Sequence, residues 1–165
     1  MNKNTIPQNF TLSLALVDFI PVIFFFLTCS ILGFYLNSFL FIIGAIICFI
    51  SGLLKVIWKI IVVKKKKNIW PLFLQMRIAM PIGFLIIIIS FILNCINQKM
   101  NIIFNKILTP FPLIFLIIGI IGMILMSIFA FKLDSSKLKA NWIEQICNSI
   151  SQCAFFIAIL IMILN

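Results

Sequence analysis

GAIICFISGLLKVIWKIIVVKKKKNIWPLFLQMR, residues Gly44 to Arg77, decides the fold. From Gly44 to Val63 it is apolar apart from Ser51, Lys55 and Lys59, and four consecutive lysines, Lys64 to Lys67, follow. Trp70-Pro71 then opens a second apolar run. About 20 apolar residues are what a helix needs to cross the hydrocarbon core. A helix satisfies its own backbone hydrogen bonds there, which an open strand does not. The stretch therefore reads as the end of one transmembrane helix, a basic loop on the cytosolic side, and the start of the next helix.

The rest of the chain agrees with that reading. Of its 165 residues 64% are hydrophobic and 10% charged, where a soluble domain carries about 25% charged residues. The mean hydropathy is +1.30. The apolar runs are long and do not alternate, so the expected class is an all-α integral membrane protein and not a barrel. Residues 1–165 form one polytopic domain on this reading. The net charge of +10 sits mostly beside apolar spans, which the positive-inside rule explains without nucleic acid; no nucleic-acid-binding motif accompanies it. There is no histidine and there are three carboxylates, which excludes a zinc site or a histidine-based catalytic group. Five cysteines are scattered without C-x-x-C spacing, and such residues in lipid behave as small hydrophobes. No metal or cofactor is implied, no nucleophile constellation stands out, and the expectation is a protein that is not an enzyme.

Working outward, five spans are expected, at about 11–36, 39–63, 69–93, 109–131 and 141–164. A polar tail, Met1 to Phe10, precedes the first, and no small-residue cleavage site follows it, so the span reads as uncleaved. Asn37-Ser38 is a turn short enough to make spans one and two an antiparallel hairpin. Pro81 should kink span three. Between spans three and four, Ile96, Met100, Ile103, Phe104 and Ile107 fall opposite Gln98, Asn101 and Asn105. That pattern predicts an amphipathic interfacial helix over about 95–108. Gly119 and Gly122 give span four a patch for close packing, and Asp134-Ser135-Ser136 reads as a turn or cap before span five.

An odd number of spans puts the termini on opposite sides. Lys3, Lys64 to Lys67, Lys132, Lys137 and Lys139 share one side, and only Lys99 and Lys106 fall on the other. The amino terminus is then cytosolic and the carboxyl terminus external, in a membrane of the bacterial cytoplasmic type. Trp58, Trp70 and Trp142 all fall near the cytosolic interface, as an aromatic belt would. The lipid bilayer is the first partner. Lys64, Lys65, Lys66 and Lys67 could hold anionic lipid headgroups at ~1 kcal/mol each, or serve only to anchor the topology.

The candidate site comes from helical faces. On span two, Gly44, Cys48, Ser51, Gly52, Lys55 and Lys59 share a side that is small and then cationic. On span five, Asn141, Glu144, Gln145, Asn148 and Gln152 form a polar stripe over about 100°. At ~1.5 Å per residue, Asn148 and Gln152 lie roughly 10 to 15 Å inside their end. Reflected through the Asn37-Ser38 turn, Asp18 lies level with Ile57, between Lys55 and Lys59, so an ion pair with either is geometrically easy. Reflection through the basic loop brings Arg77 to a similar depth. Asp18, Lys55, Lys59, Arg77, Glu144, Gln145, Asn148 and Gln152 are thus the expected lining of a cytosol-facing, slightly cationic pocket. Ionisable groups in a membrane interior commonly mark ligand or ion sites. The plainer reading leaves Asp18 as an interfacial N-cap with Pro21 in the first turn, lets the three cations snorkel, and makes the stripe interhelical hydrogen bonding.

The functional expectation is binding, or help in translocating, a small polar or anionic ligand. So short a chain, with no inverted repeat, would transport as a homo-oligomer or with a membrane partner. The alternatives are a non-catalytic membrane subunit or scaffold and, further off, an enzyme on lipid-borne substrates using Asp18 or Glu144 as acid or base.

Overall fold

The computed structural model describes residues 11–97, 100–133 and 137–164. Seven α-helices occupy them: α1 (Leu12–Val17), α2 (Phe19–Tyr35), α3 (Phe39–Lys65), α4 (Trp70–Ile96), α5 (Met100–Ile107), α6 (Pro110–Lys132) and α7 (Leu138–Leu164). Five stretches are long and apolar enough to cross a membrane: α1 with α2, α3, α4, the Pro110–Phe129 part of α6, and α7. The chain is a multi-pass membrane protein. The helices overrun the spans expected from apolarity alone, α3 by two lysines and α7 by three residues at its start. Lys3 and the tail around it, Gln98, Lys99 and Asp134-Ser135-Ser136 lie outside the described residues.

Local chemistry explains the helix ends. Proline has no N–H and its ring crowds the carbonyl four residues back. For Pro21 that carbonyl belongs to Val17, and there the first span breaks into α1 and α2 with Asp18 at the junction. Thr11 caps α1, its Oγ1 accepting from the Leu14 N–H at 3.2 Å. After α2 the chain turns on Asn37, at φ 49°. Ser38 N–H donates to Gly33 O at 2.9 Å and Asn37 N–H to Phe34 O at 3.0 Å, the paired bonds of a Schellman cap. Lys66, at φ 46°, ends α3 in the same left-handed region. Pro81, by contrast, sits inside α4 without ending it.

The long helices neighbour one another in the order α4, α3, α2, α7, α6, with α1 leaning on α3 and α7. Among the described residues α4 and α7 share no close backbone contact. The flanking pairs approach through glycine. A Cβ on Gly44 would stand 2.8 Å from the Gly83 carbonyl oxygen, and one on Gly83 would stand 3.0 Å from that of Gly44. On the other flank Gly122 lies hard against the Ser151 hydroxyl and Gly119 against the Phe155 ring, so these two glycines pack α6 on α7. Ile159 and Met162 of α7 join Leu36 in one buried cluster. The carboxyl half of α7 therefore lies at the Asn37 end, and its amino half beside the lysines.

Two elements differ from their sequence reading. Ile103 and Ile107 of α5 are buried in that same cluster, so part of the apolar face is spent on protein; Ile102 and Phe104 stay exposed, as do Asn101 and Asn105. Trp58 is not a belt residue facing outward. It is buried, with its ring 5.2 Å from that of Phe73 and its Nε1 donating to Asn68 Oδ1 at 3.1 Å.

Candidate functional site: a charged cluster beside an intramembrane cavity

Lys55 and Lys59 are one turn apart on α3 and so share a face. The α1–α2 junction brings Asp18 against that face. Its carboxylate makes no capping bond to α2; Oδ2 lies 2.7 Å from Lys59 Nζ and Oδ1 accepts from Lys55 Nζ at 3.3 Å. Asp18 is fully buried, at 1% exposure. The two lysine side chains differ: that of Lys59 is 8% exposed and that of Lys55 26%. Burying ions costs several kcal/mol each unless they pair with good geometry. Lys59 meets that condition by pairing closely with Asp18, whereas Lys55 makes the longer contact and keeps part of its side chain exposed.

Lys55 lines an open cavity of about 610 Å³ bordered by α2, α3, α4 and α7, within the 300–1,000 Å³ typical of small-ligand sites. One face of each helix contributes. Asp18, Pro21 and Phe25 come from the first span, and Lys55 with Cys48 two turns further on from α3. Asn148 and Gln152 come from α7, while Met76, Met80 and Phe84 form an i, i+4, i+8 stripe on α4. Charge and amide groups gather at the lysine end of this space, and the deeper end is apolar. Gln152 Nε2 also points to Met123 Sδ on α6, at 3.6 Å.

Of the eight residues singled out from sequence, Asp18, Lys55, Asn148 and Gln152 border the cavity. Lys59 stands behind Asp18. Glu144 is half-buried and within Coulombic range of Lys59. Gln145 is buried off the cavity, and its Oε1 has no hydrogen-bond partner. Arg77 is elsewhere: it is exposed, with its guanidinium 4.8 Å above the Phe73 ring. With Arg77 away, the cluster holds two carboxylates and two ammonium groups, electrically balanced and not slightly cationic. Of the two charged residues that line the cavity, Lys55 is the more exposed and Asp18 is buried.

Sequence reasoning passed over the apolar wall. Its one available signal was the Met76, Met80, Phe84 spacing, which reads equally as lipid-facing. It also passed over Gln75, whose Nε2 donates to the Ser51 carbonyl at 3.3 Å and ties α4 to α3 at the level of the site. Among the described residues no three metal-ligating side chains converge. The chain matches no known protein-family model, curated protein or solved structure.

Proposed function

We propose that this protein binds a small polar or anionic ligand in the cavity between α2, α3, α4 and α7 and helps to move it, with Lys55 as the group that meets the ligand's charge. The carrying observation is the division between the two lysines: Lys59 is buried against Asp18 at 2.7 Å, while Lys55 holds its oxygen at 3.3 Å, has a side chain 26% exposed and lines the cavity. Asn148 adds an amide donor and acceptor, and Gln152, whose Nε2 is directed at Met123, adds an amide oxygen. The positive-inside rule places Lys64 to Lys67, and with them this mouth, on the cytosolic side, and the same four lysines are suited to anionic headgroups.

A subunit or scaffold would use the α7 stripe on its outer surface. Here Gln145 is buried and Asn148 and Gln152 border the chain's own cavity, which favours a ligand over a partner at this face. Binding is also favoured over catalysis, since the carboxylate beside the cavity is buried and held by two ammonium groups.

The test uses single cysteines at position 148 in an otherwise cysteine-free chain and two impermeant methanethiosulfonate reagents of opposite charge. The anionic sulfonate should label faster than the cationic trimethylammonium reagent, and Lys55→Met should abolish that preference. Equal rates with both reagents, or a preference untouched by Lys55→Met, would refute the assignment of Lys55.

A further inference from the structure

Resting on that reading, we infer that the ligand is an amphiphile with one anionic oxygen head, carboxylate or phosphate, and an apolar chain, taken from the leaflet on the lysine side. Polarity along the cavity runs one way. Asp18, Lys55 and Asn148 stand at one end, and Gln152 lies one turn deeper; Phe25 and Cys48 are each seven residues deeper into the bundle, about 10 Å at 1.5 Å per residue. On α4 the lining runs from Met76 to Phe84, about 12 Å by the same rise. A lipid in that leaflet has the same orientation, head outward and chain toward the midplane. A dissolved inorganic anion would use the Lys55 end and leave the apolar length empty.

The cavity is also reached from the side. Pro81 and Phe84 line it and are themselves exposed, Phe84 at 51%, on a surface that faces acyl chains. No close backbone contact among the described residues joins α4 to α7 across the opening. The volume of about 610 Å³ holds roughly 20 groups of the ~30 Å³ that a water occupies in the liquid, enough for a head and a chain together.

The experiment uses the full chain in zwitterionic-lipid nanodiscs with a diazirine-bearing long-chain fatty acid as photoprobe. Crosslinks should map to residues 76–84 and 148–152. Dodecanoate should displace the probe, and acetate and inorganic phosphate should not. Lys55→Met should reduce crosslinking by roughly tenfold or more, the loss of one charge-assisted hydrogen bond. Met80→Trp, which fills the apolar end away from the ion pairs, should reduce it as well while leaving the charge preference at position 148 intact. If acetate or phosphate competes as well as dodecanoate, the ligand is a dissolved anion; the amphiphile falls and the Lys55 pocket stands. Crosslinks spread along the exposed face of α6 and indifferent to competitor overturn the amphiphile proposal outright, as does unchanged crosslinking in folded Met80→Trp.

Discussion

Toward the Asn37 end of the bundle the buried polar groups are neutral: Ser30 Oγ has no hydrogen-bond partner, while Ser38, Ser90 and Asn94 bond to one another. Ser38 Oγ lies 2.7 Å from Ser90 Oγ, and Asn94 Nδ2 donates to the Ser90 carbonyl at 2.7 Å. Around them Leu36, Ile103, Ile107, Ile159 and Met162 close the space. At the lysine end the buried groups are charged, and a cavity stands open beside them. The long helices α2, α3, α4 and α7 run through both ends, so helix-forming propensity does not account for the contrast. Neutral hydrogen bonds hold helices together in lipid at little cost. Buried ions beside a cavity cost more than they contribute to packing, and this asymmetry is what favours a binding role for the lysine end.

The comparison breaks most easily at Asp18. Asp18→Ala leaves the Lys59 ammonium buried without its carboxylate and should cost about 3–5 kcal/mol, read as a shift in unfolding midpoint in mixed micelles. Pairing it with Lys59→Met should restore part of the loss, whereas simple additivity would deny the coupling. Next comes Gly44→Ala, which pushes a methyl at the Gly83 carbonyl and should cost about 1–3 kcal/mol as overpacking. Because it opens the α3–α4 seam that frames the cavity, it should also change labelling at position 148. Ser90→Ala, at the opposite end, should cost about 0.6 kcal/mol, the mean for an interhelical hydrogen bond in a membrane, and leave labelling at 148 as it was. Arg77→Gln should be smallest, within about 0.5 kcal/mol as for surface changes in general, with the preference for anionic reagent intact. A lost preference would return Arg77 to the site.

Why Arg77 was misplaced shows what a sequence can carry. Counting residues from a turn gives depth, and depth put Asp18 between Lys55 and Lys59, where both ammonium groups meet its carboxylate. Depth does not give rotation about the helix axis. For α4 that is set by Gly83 packing on Gly44. Arg77 is six residues before Gly83, about 120° around the helix, which carries it out to the exposed side. The five spans were legible because apolar length alone defines them. The amphipathic pattern of 100–107 was legible too, but not its object: Ile103 and Ile107 turn to Leu36, Ile159 and Met162, which lie far away in sequence. Trp58 failed for the same reason, since its partner Phe73 belongs to the following helix. The cavity is the least legible feature, being the space left where α4 and α7 do not meet.

The most direct test of the central claim is a cysteine scan along α7 in a cysteine-free background, with an impermeant thiol reagent added from the side of Lys64 to Lys67. The account predicts labelling at positions 148 and 152, which border the cavity. It predicts none at buried 145, nor at 146 and 150, whose native isoleucines are exposed on the apolar outer surface. Silence at 148 and 152 would mean that the lysine end is as dry as the Asn37 end, and the pocket would have to be given up.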